Sequence, residues 1–162
     1  MVTKKTKNLA AKEYFVKGYY LQKNGDLDTA IKNYKMSINC NPTAQAHTFL
    51  GEAYGMQGKY KDAIKECLTA IYLDEEFGNP YNDIGSYLIC IGDYDEAEFW
   101  LKQAISNPNY NFKYYSFFNL GGIYEIKGNW IEALKYYRQA LKINPGYDSA
   151  EKSVYRMTAL LN

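Results

Sequence analysis

The sequence predicts an all-α solenoid: four helix-turn-helix units in a stack, closed by one further helix. Three observations predict it. Gly18, Gly51, Gly85 and Gly121 form one series, and Gly25, Gly58, Gly92 and Gly128 form a second. Ala30, Ala63, Ala97 and Ala133 form a third. All three step by 33, then 34, then 36 residues, and uneven steps shared by three series mark one repeated unit. A single helix pair cannot hide its own apolar face, so neighbouring pairs must supply the interior.

Each slot has a physical reason. Tyr14, His47, Tyr81 and Phe117 are bulky positions near the start of each first helix. Leu21, Tyr54, Leu88 and Tyr124 follow seven residues later on the same helical face. The Gly18 series falls between them, where two helices approach too closely for a side chain. The Gly25 series ends the first helix, because a residue without Cβ adopts φ > 0 at little cost. Leu27, Tyr60, Tyr94 and Trp130 open the second helix, and the Ala30 series permits close contact there. Tyr34, Cys67, Leu101 and Tyr137 pack behind it, with Ser37, Ala70, Ala104 and Ala140 one turn on. Pro42 and Pro145 stop the first and last units. Glu75 takes that place in the second unit, and Pro108 stands one position early in the third.

Over residues 11 to 147 this register resembles the tetratricopeptide repeat, a helix-turn-helix unit of about 34 residues. The resemblance implies a right-handed superhelix whose first helices line a concave groove. It also implies a protein–protein interaction scaffold. Residues 78 to 145 further resemble the tetratricopeptide lipoproteins that act as pilotins for type IV pilus secretins. The shared features are Asn82 three residues before Gly85, Tyr110 thirteen after Ala97, and Asn119-Leu120-Gly121. Pilotins begin with a leader and a lipidated cysteine. No such pattern opens this sequence, so shared repeat geometry is expected rather than a shared job.

In chain order, the lysine-rich residues 1 to 7 are expected to fray, with the first helix running from near Asn8 to Asn24. Lys4, Lys5, Lys7, Lys12, Lys17 and Lys23 read as a solvated face, since no aromatic interleaving of a nucleic-acid module accompanies them. The units span about 11–43, 44–77, 78–111 and 114–147, with a capping helix over 148–162, all in a single domain 1–162. Asp26, Asp93 and Asn129 are N-caps for the second helices. Asp28, Asp62, Glu96 and Glu132 suit the positive ends of those helices. Asp74-Glu75-Glu76 reads as a solvated acidic cluster, and Pro80 suits a first helical turn. The junction from Asn107 to Tyr114 is longer than the period requires, so it should lengthen a helix or project a loop. In the last helix Ala150, Val154, Met157 and Leu161 should face inward.

Composition narrows the function. Nineteen Lys and Arg oppose eighteen Asp and Glu, which gives no global attraction to nucleic acid. No apolar run approaches the ~20 residues that span a bilayer, so direct membrane insertion is not expected. The basic, polar start lacks a secretory leader, and a cytoplasmic chain complete from Met1 is the expectation. Cys40, Cys67 and Cys90 lack metal-binding spacing and suit a reducing compartment, with Cys67 a buried hydrophobe. His47 is the only histidine and falls in a core slot, wrong for a catalytic base. The glycines follow the repeat register and form no phosphate loop. Glu125 and Glu132 fall on separate helix faces, not across a cleft. A non-enzyme with no cofactor and no metal is expected.

The stripe one residue beyond the core stripe should face the groove. It holds Phe15, Tyr19 and Gln22; Thr48, Glu52 and Gly55; Asn82, Ser86 and Ile89; and Phe118, Gly122 and Glu125. Asn79 and Tyr115 lie one turn earlier on the same side. Its side-chain-bearing polar and aromatic members, with Asn79 and Tyr115, are the candidate partner-binding set. Asn82 could hold the backbone of an extended peptide. Of eighteen tyrosines, eight fill framework slots; the others, including Tyr19, Tyr20, Tyr110, Tyr114 and Tyr115, serve a binding surface or extra packing between units. Family members that clamp a C-terminal carboxylate do so with Lys and Asn. Here Phe15, Tyr19, Phe49, Asn79 and Asp83 stand there instead, so a chaperone tail is not the expected ligand. Two functions follow: a scaffold holding a partner's peptide or helix in the groove, or a chain that self-assembles into a homo-oligomer through its aromatic faces or open ends. A pilus- or secretion-assembly accessory role is a further alternative.

Overall fold

The caps and turns set the helices. In this computed structural model, which describes residues 3–161, the side chains of Asp26, Asp93 and Asn129 accept from the amides of Thr29, Glu96 and Glu132 at 3.2, 3.3 and 3.2 Å. Each satisfies one of the N–H groups that a helix start leaves unpaired. Lys59 holds the same place in the second unit and makes no such bond. Just before these caps, Gly25, Gly58, Gly92 and Gly128 all have positive φ, between 73° and 84°.

Among the described residues the chain forms nine α-helices and no strand. The first pair is α1 (Lys4–Lys23) and α2 (Leu27–Cys40), and the second is α3 (Ala44–Met56) and α4 (Tyr60–Leu73). The third is α5 (Asn79–Ile91) and α6 (Tyr94–Ser106), and the fourth is α7 (Lys113–Ile126) and α8 (Trp130–Ile143). Helix α9 (Asp148–Leu161) follows. The first helix starts four residues earlier than expected. Thr3 accepts from the Thr6 amide at 3.2 Å, and this cap carries the helix through the lysines. Met1 and Val2 of the expected frayed tail lie outside the described residues.

Close approach of paired helices depends on the first glycine series. A Cβ on Gly121 would fall 2.5 Å from the Tyr137 ring, and one on Gly85 would fall 2.6 Å from Leu101. The ring or branched side chain on the second helix fills the space that the glycine leaves empty. The interior falls into three clusters, each shared between neighbouring helix pairs or with α9. Cys67, Ile84, Leu88, Leu101, Leu120 and Ile123 form one cluster from α4 to α7. Tyr34 and Leu50 join the first two pairs. Tyr137 meets Met157, which seats α9 against the last pair. Leu161, expected to face inward, is instead exposed at the chain end. His47 is nearly buried, with Nδ1 2.7 Å from Glu66 Oε2.

The long junction lengthens the following helix: α7 begins eight positions before Gly121, where α5 begins six before Gly85. Tyr110 folds inward to 3 % exposure and lies on Gly78, where a Cβ would stand 2.4 Å from the Tyr110 Cβ. Asn107 Nδ2 donates to the Glu75 carbonyl and Asn109 Nδ2 to Glu76 Oε2, both at 3.4 Å. The acidic cluster is exposed yet anchors the junction. No helix among the described residues is long and apolar enough to cross a membrane.

Candidate functional site

Helices α1, α3, α5 and α7 stand side by side, so one face of each contributes to a common wall. A cavity of about 750 Å³ opens on that wall and spans all four of these first helices. Helix α1 contributes Tyr19, Gln22 and Lys23, and α3 contributes Phe49, Glu52 and Met56. Helix α5 contributes Asn79, Asn82 and Asp83. The junction adds Tyr110 and Phe112, and α7 adds Tyr115.

The two ends are aromatic. Tyr19 packs edge-on to Phe49 with centroids 5.9 Å apart, and Tyr114 lies 4.3 Å from Tyr115. Between them the floor is polar. Tyr34 Oη donates to Gln22 Oε1 at 2.7 Å, and Gln22 Nε2 donates to Glu52 Oε2 at 3.4 Å. Burial pushes the Glu52 carboxyl up, against the pull of that Gln22 bond and of Lys23. Asp83 is pushed up to about 8, first by burial and then by the Glu52 charge, with the Asn82 amide opposing. Asp83 Oδ2 is buried and has no hydrogen-bond partner.

Of the residues picked out by the stripe, Tyr19, Gln22, Glu52, Asn79, Asn82 and Tyr115 line this cavity. The others are placed elsewhere. Thr48, expected to face the groove, is wholly buried and its hydroxyl donates to the Ala44 carbonyl at 2.9 Å. Helix α3 has α1 on one side and α5 on the other, which closes off a position that would be open on a lone helix. Phe15 is half-buried, its ring 5.1 Å from Phe49 and 5.7 Å from Tyr34. Ser86 donates to the Asn82 carbonyl at 3.1 Å and accepts from Asn119 Nδ2 at 3.0 Å. Phe118 packs against Tyr137 and Tyr147, under the start of α9. Glu125 accepts from Tyr137 Oη at 2.8 Å and pairs with Arg156 of α9. Asn82, offered as a peptide-backbone ligand, is itself 8 % exposed, and its Oδ1 already accepts from Ser116 Oγ at 2.9 Å.

Six lining residues lie outside that set: Lys23, Phe49, Met56, Asp83, Tyr110 and Phe112. The signal for four of them is in the sequence. Lys23, Phe49, Met56 and Asp83 each follow a stripe residue directly, so the open face is one position wider than the stripe. Tyr110 and Phe112 come from the junction, outside any helical register.

Models of the tetratricopeptide repeat match residues 15–77, 79–109 and 114–147. The chain belongs to the tetratricopeptide repeat family. Tetratricopeptide proteins of known structure share the fold. PilF of Pseudomonas aeruginosa superposes with a TM-score of 0.86 at 22 % identity, over 93 % of this chain and 68 % of that one. MamA superposes with a TM-score of 0.73 at 26 % identity, over 83 % of this chain and 78 % of that one. YrrB, described as a tetratricopeptide protein with an unusual peptide-binding site, gives 0.73 at 21 % identity, over 89 % of this chain and 74 % of that one. An uncharacterized protein of Haemophilus influenzae is 28 % identical over 100 residues, or 56 % of this chain. The chain spans about half the length of that curated relative, 51 %.

Proposed function

We propose that the protein is an interaction scaffold that holds a peptide or helix of a partner protein in the trough of its first helices. The observation that carries this is the cavity of about 750 Å³, open to solvent, with aromatic ends and a polar floor. Aromatic rings supply large contact areas at low entropic cost, and such anchors dominate binding energies. No chemistry is assigned to the site; its role is recognition. The cysteines, all free, suit a reducing compartment such as the cytoplasm. At 22 % identity the likeness to PilF carries the fold and not a role in pilus or secretion assembly, so the proposal stops at binding.

Tyr19 and Tyr115 stand at opposite ends of the trough, 36 % and 41 % exposed. Affinity capture from the native cell, read by mass spectrometry, tests the proposal. The Tyr19→Ala/Tyr115→Ala protein should recover a specific partner at least ~10-fold less well than wild type. Equal recovery of every partner refutes the trough.

One observation favours a second reading, self-assembly. Leu9, Val16 and Tyr20 leave an apolar strip on the outer face of α1, beside a surface cavity of about 710 Å³. Light scattering over a concentration series, with Tyr20→Glu as control, separates the two. A mass fixed at one chain rules out assembly.

A further inference from the structure

The floor of the trough is acidic and incompletely partnered. Asp83 Oδ2 has neither a hydrogen-bond partner nor access to solvent. Glu52 faces the same cavity from α3. Lys23 attends Glu52, and its ammonium lies 5.5 Å from the Tyr19 ring centre. Asp83 enters none of the ion pairs among the described residues. A carboxylate oxygen held away from water without a donor is costly. Tyr19, Phe49, Phe112 and Tyr115 surround the acids, and the negative faces of aromatic rings attract cations. Both features complement one chemistry, a cationic head on an apolar stem.

We propose, building on the trough as a peptide site, that the floor between Glu52 and Asp83 is a subsite for a basic side chain of the bound segment. Arginine fits best, because its planar fork can donate to the Asp83 carboxylate where it lines the cavity and to Glu52 together, while its stem lies along Phe49 and Tyr19. The exchange balances in charge. With its acid dissociation pushed up to about 8, Asp83 is largely protonated at neutral pH. The arriving cation replaces that proton, which leaves to solvent. The other titratable groups facing Asp83 are Glu52 from α3, Cys67 from α4, Tyr87 from its own helix and Tyr110 from the junction. Burial raises the thiol and both phenols, so they remain neutral and Glu52 alone adds charge. Affinity for the basic segment therefore rises with pH up to and through about 8.

Fluorescence anisotropy with four labelled heptapeptides tests this. All have the frame Ala-Ala-Leu-X-Leu-Ala-Ala, with X as arginine, lysine, citrulline or glutamate. Wild type should bind the arginine peptide about tenfold more tightly than the citrulline peptide, the worth of a charge-assisted hydrogen bond. The preference should grow from about pH 6 to about pH 8.5. Asp83→Asn keeps the shape and should erase the preference for arginine over citrulline. Glu52→Gln should shrink it, and thermal melts confirm that both variants fold. Equal binding of the arginine and citrulline peptides overturns the subsite and leaves the trough standing. Failure of wild type to bind any of the four also overturns the subsite, while the trough itself is judged separately by the Tyr19 and Tyr115 capture.

Discussion

Ser116 Oγ donates a 2.9 Å hydrogen bond to Asn82 Oδ1 across 34 residues, inside the stack. One turn on, Asn119 Nδ2 donates to Ser86 Oγ at 3.0 Å. Two polar rungs thus tie α5 to α7 beside an apolar core. Residues placed to meet a ligand are used here to hold neighbouring units in register. Ser116→Ala should cost about 1–3 kcal/mol in chemical denaturation, because the buried Asn82 oxygen loses its donor. A double-mutant cycle with Asn82→Ala checks the pairing. Strictly additive losses would show that the two residues do not interact.

Two glycines should fail for opposite reasons. Gly78 has φ −76°, which any residue adopts, but its Cβ would meet Tyr110 at 2.4 Å. Gly78→Ala should expel Tyr110, cost about 1–3 kcal/mol by overpacking, and speed amide exchange over residues 107–112. Gly92 has open space around it but φ 84°. Gly92→Ala should cost about 1 kcal/mol through backbone strain, with exchange in the junction unchanged.

Much of this architecture is readable in the chain. Tyr60, Tyr94 and Trp130 open their helices where the glycine and alanine series put them, because a positive-φ turn followed by a cap leaves little freedom. The face of each first helix was readable only as a stripe. Neighbouring helices bury part of it, as at Thr48, and hydrogen bonds to other units occupy more, as at Ser86 and Glu125. Tyr110 lies outside any period. Its inward turn depends on Gly78, which is 32 positions earlier, and no local pattern links the two.

Asp83 should make the protein less stable at neutral pH. Its folded dissociation is raised to about 8, above its ordinary value of 3.8. A raised group contributes its full stability below the unfolded value and loses it as pH rises toward the folded one. Stability should therefore fall between about pH 4 and pH 8. Asp83→Asn should raise the melting temperature by ~2–4 °C or more at pH 7 and by nothing near pH 3.5. A variant that is steadier yet blind to the arginine peptide would mark Asp83 as kept for recognition rather than for folding.

Glu98 should act in the opposite sense. Burial alone would raise its carboxyl, but Lys102, Tyr124 and Lys127 outweigh that and lower it to about 2. Lys102 Nζ is 2.7 Å from Oε1 and Lys127 Nζ 3.1 Å from Oε2. A lowered carboxylate lends stability above its unfolded value and loses it as pH falls toward the folded one. Wild type should lose stability from about pH 5 down to about pH 2. Urea denaturation across that range should show a shallower acid slope in Glu98→Gln. Identical slopes would show that the cluster is too well screened to matter.

The seat of Tyr110 on Gly78 has an evolutionary corollary. Arrays of this kind lengthen when a segment of the gene is copied. Both halves of this fit fall within the third unit, the socket Gly78 at its start and the plug Tyr110 at its end, so a copy of that whole unit carries the pair along. A break anywhere between them would leave a plug without its socket, so the unit can be inherited only entire.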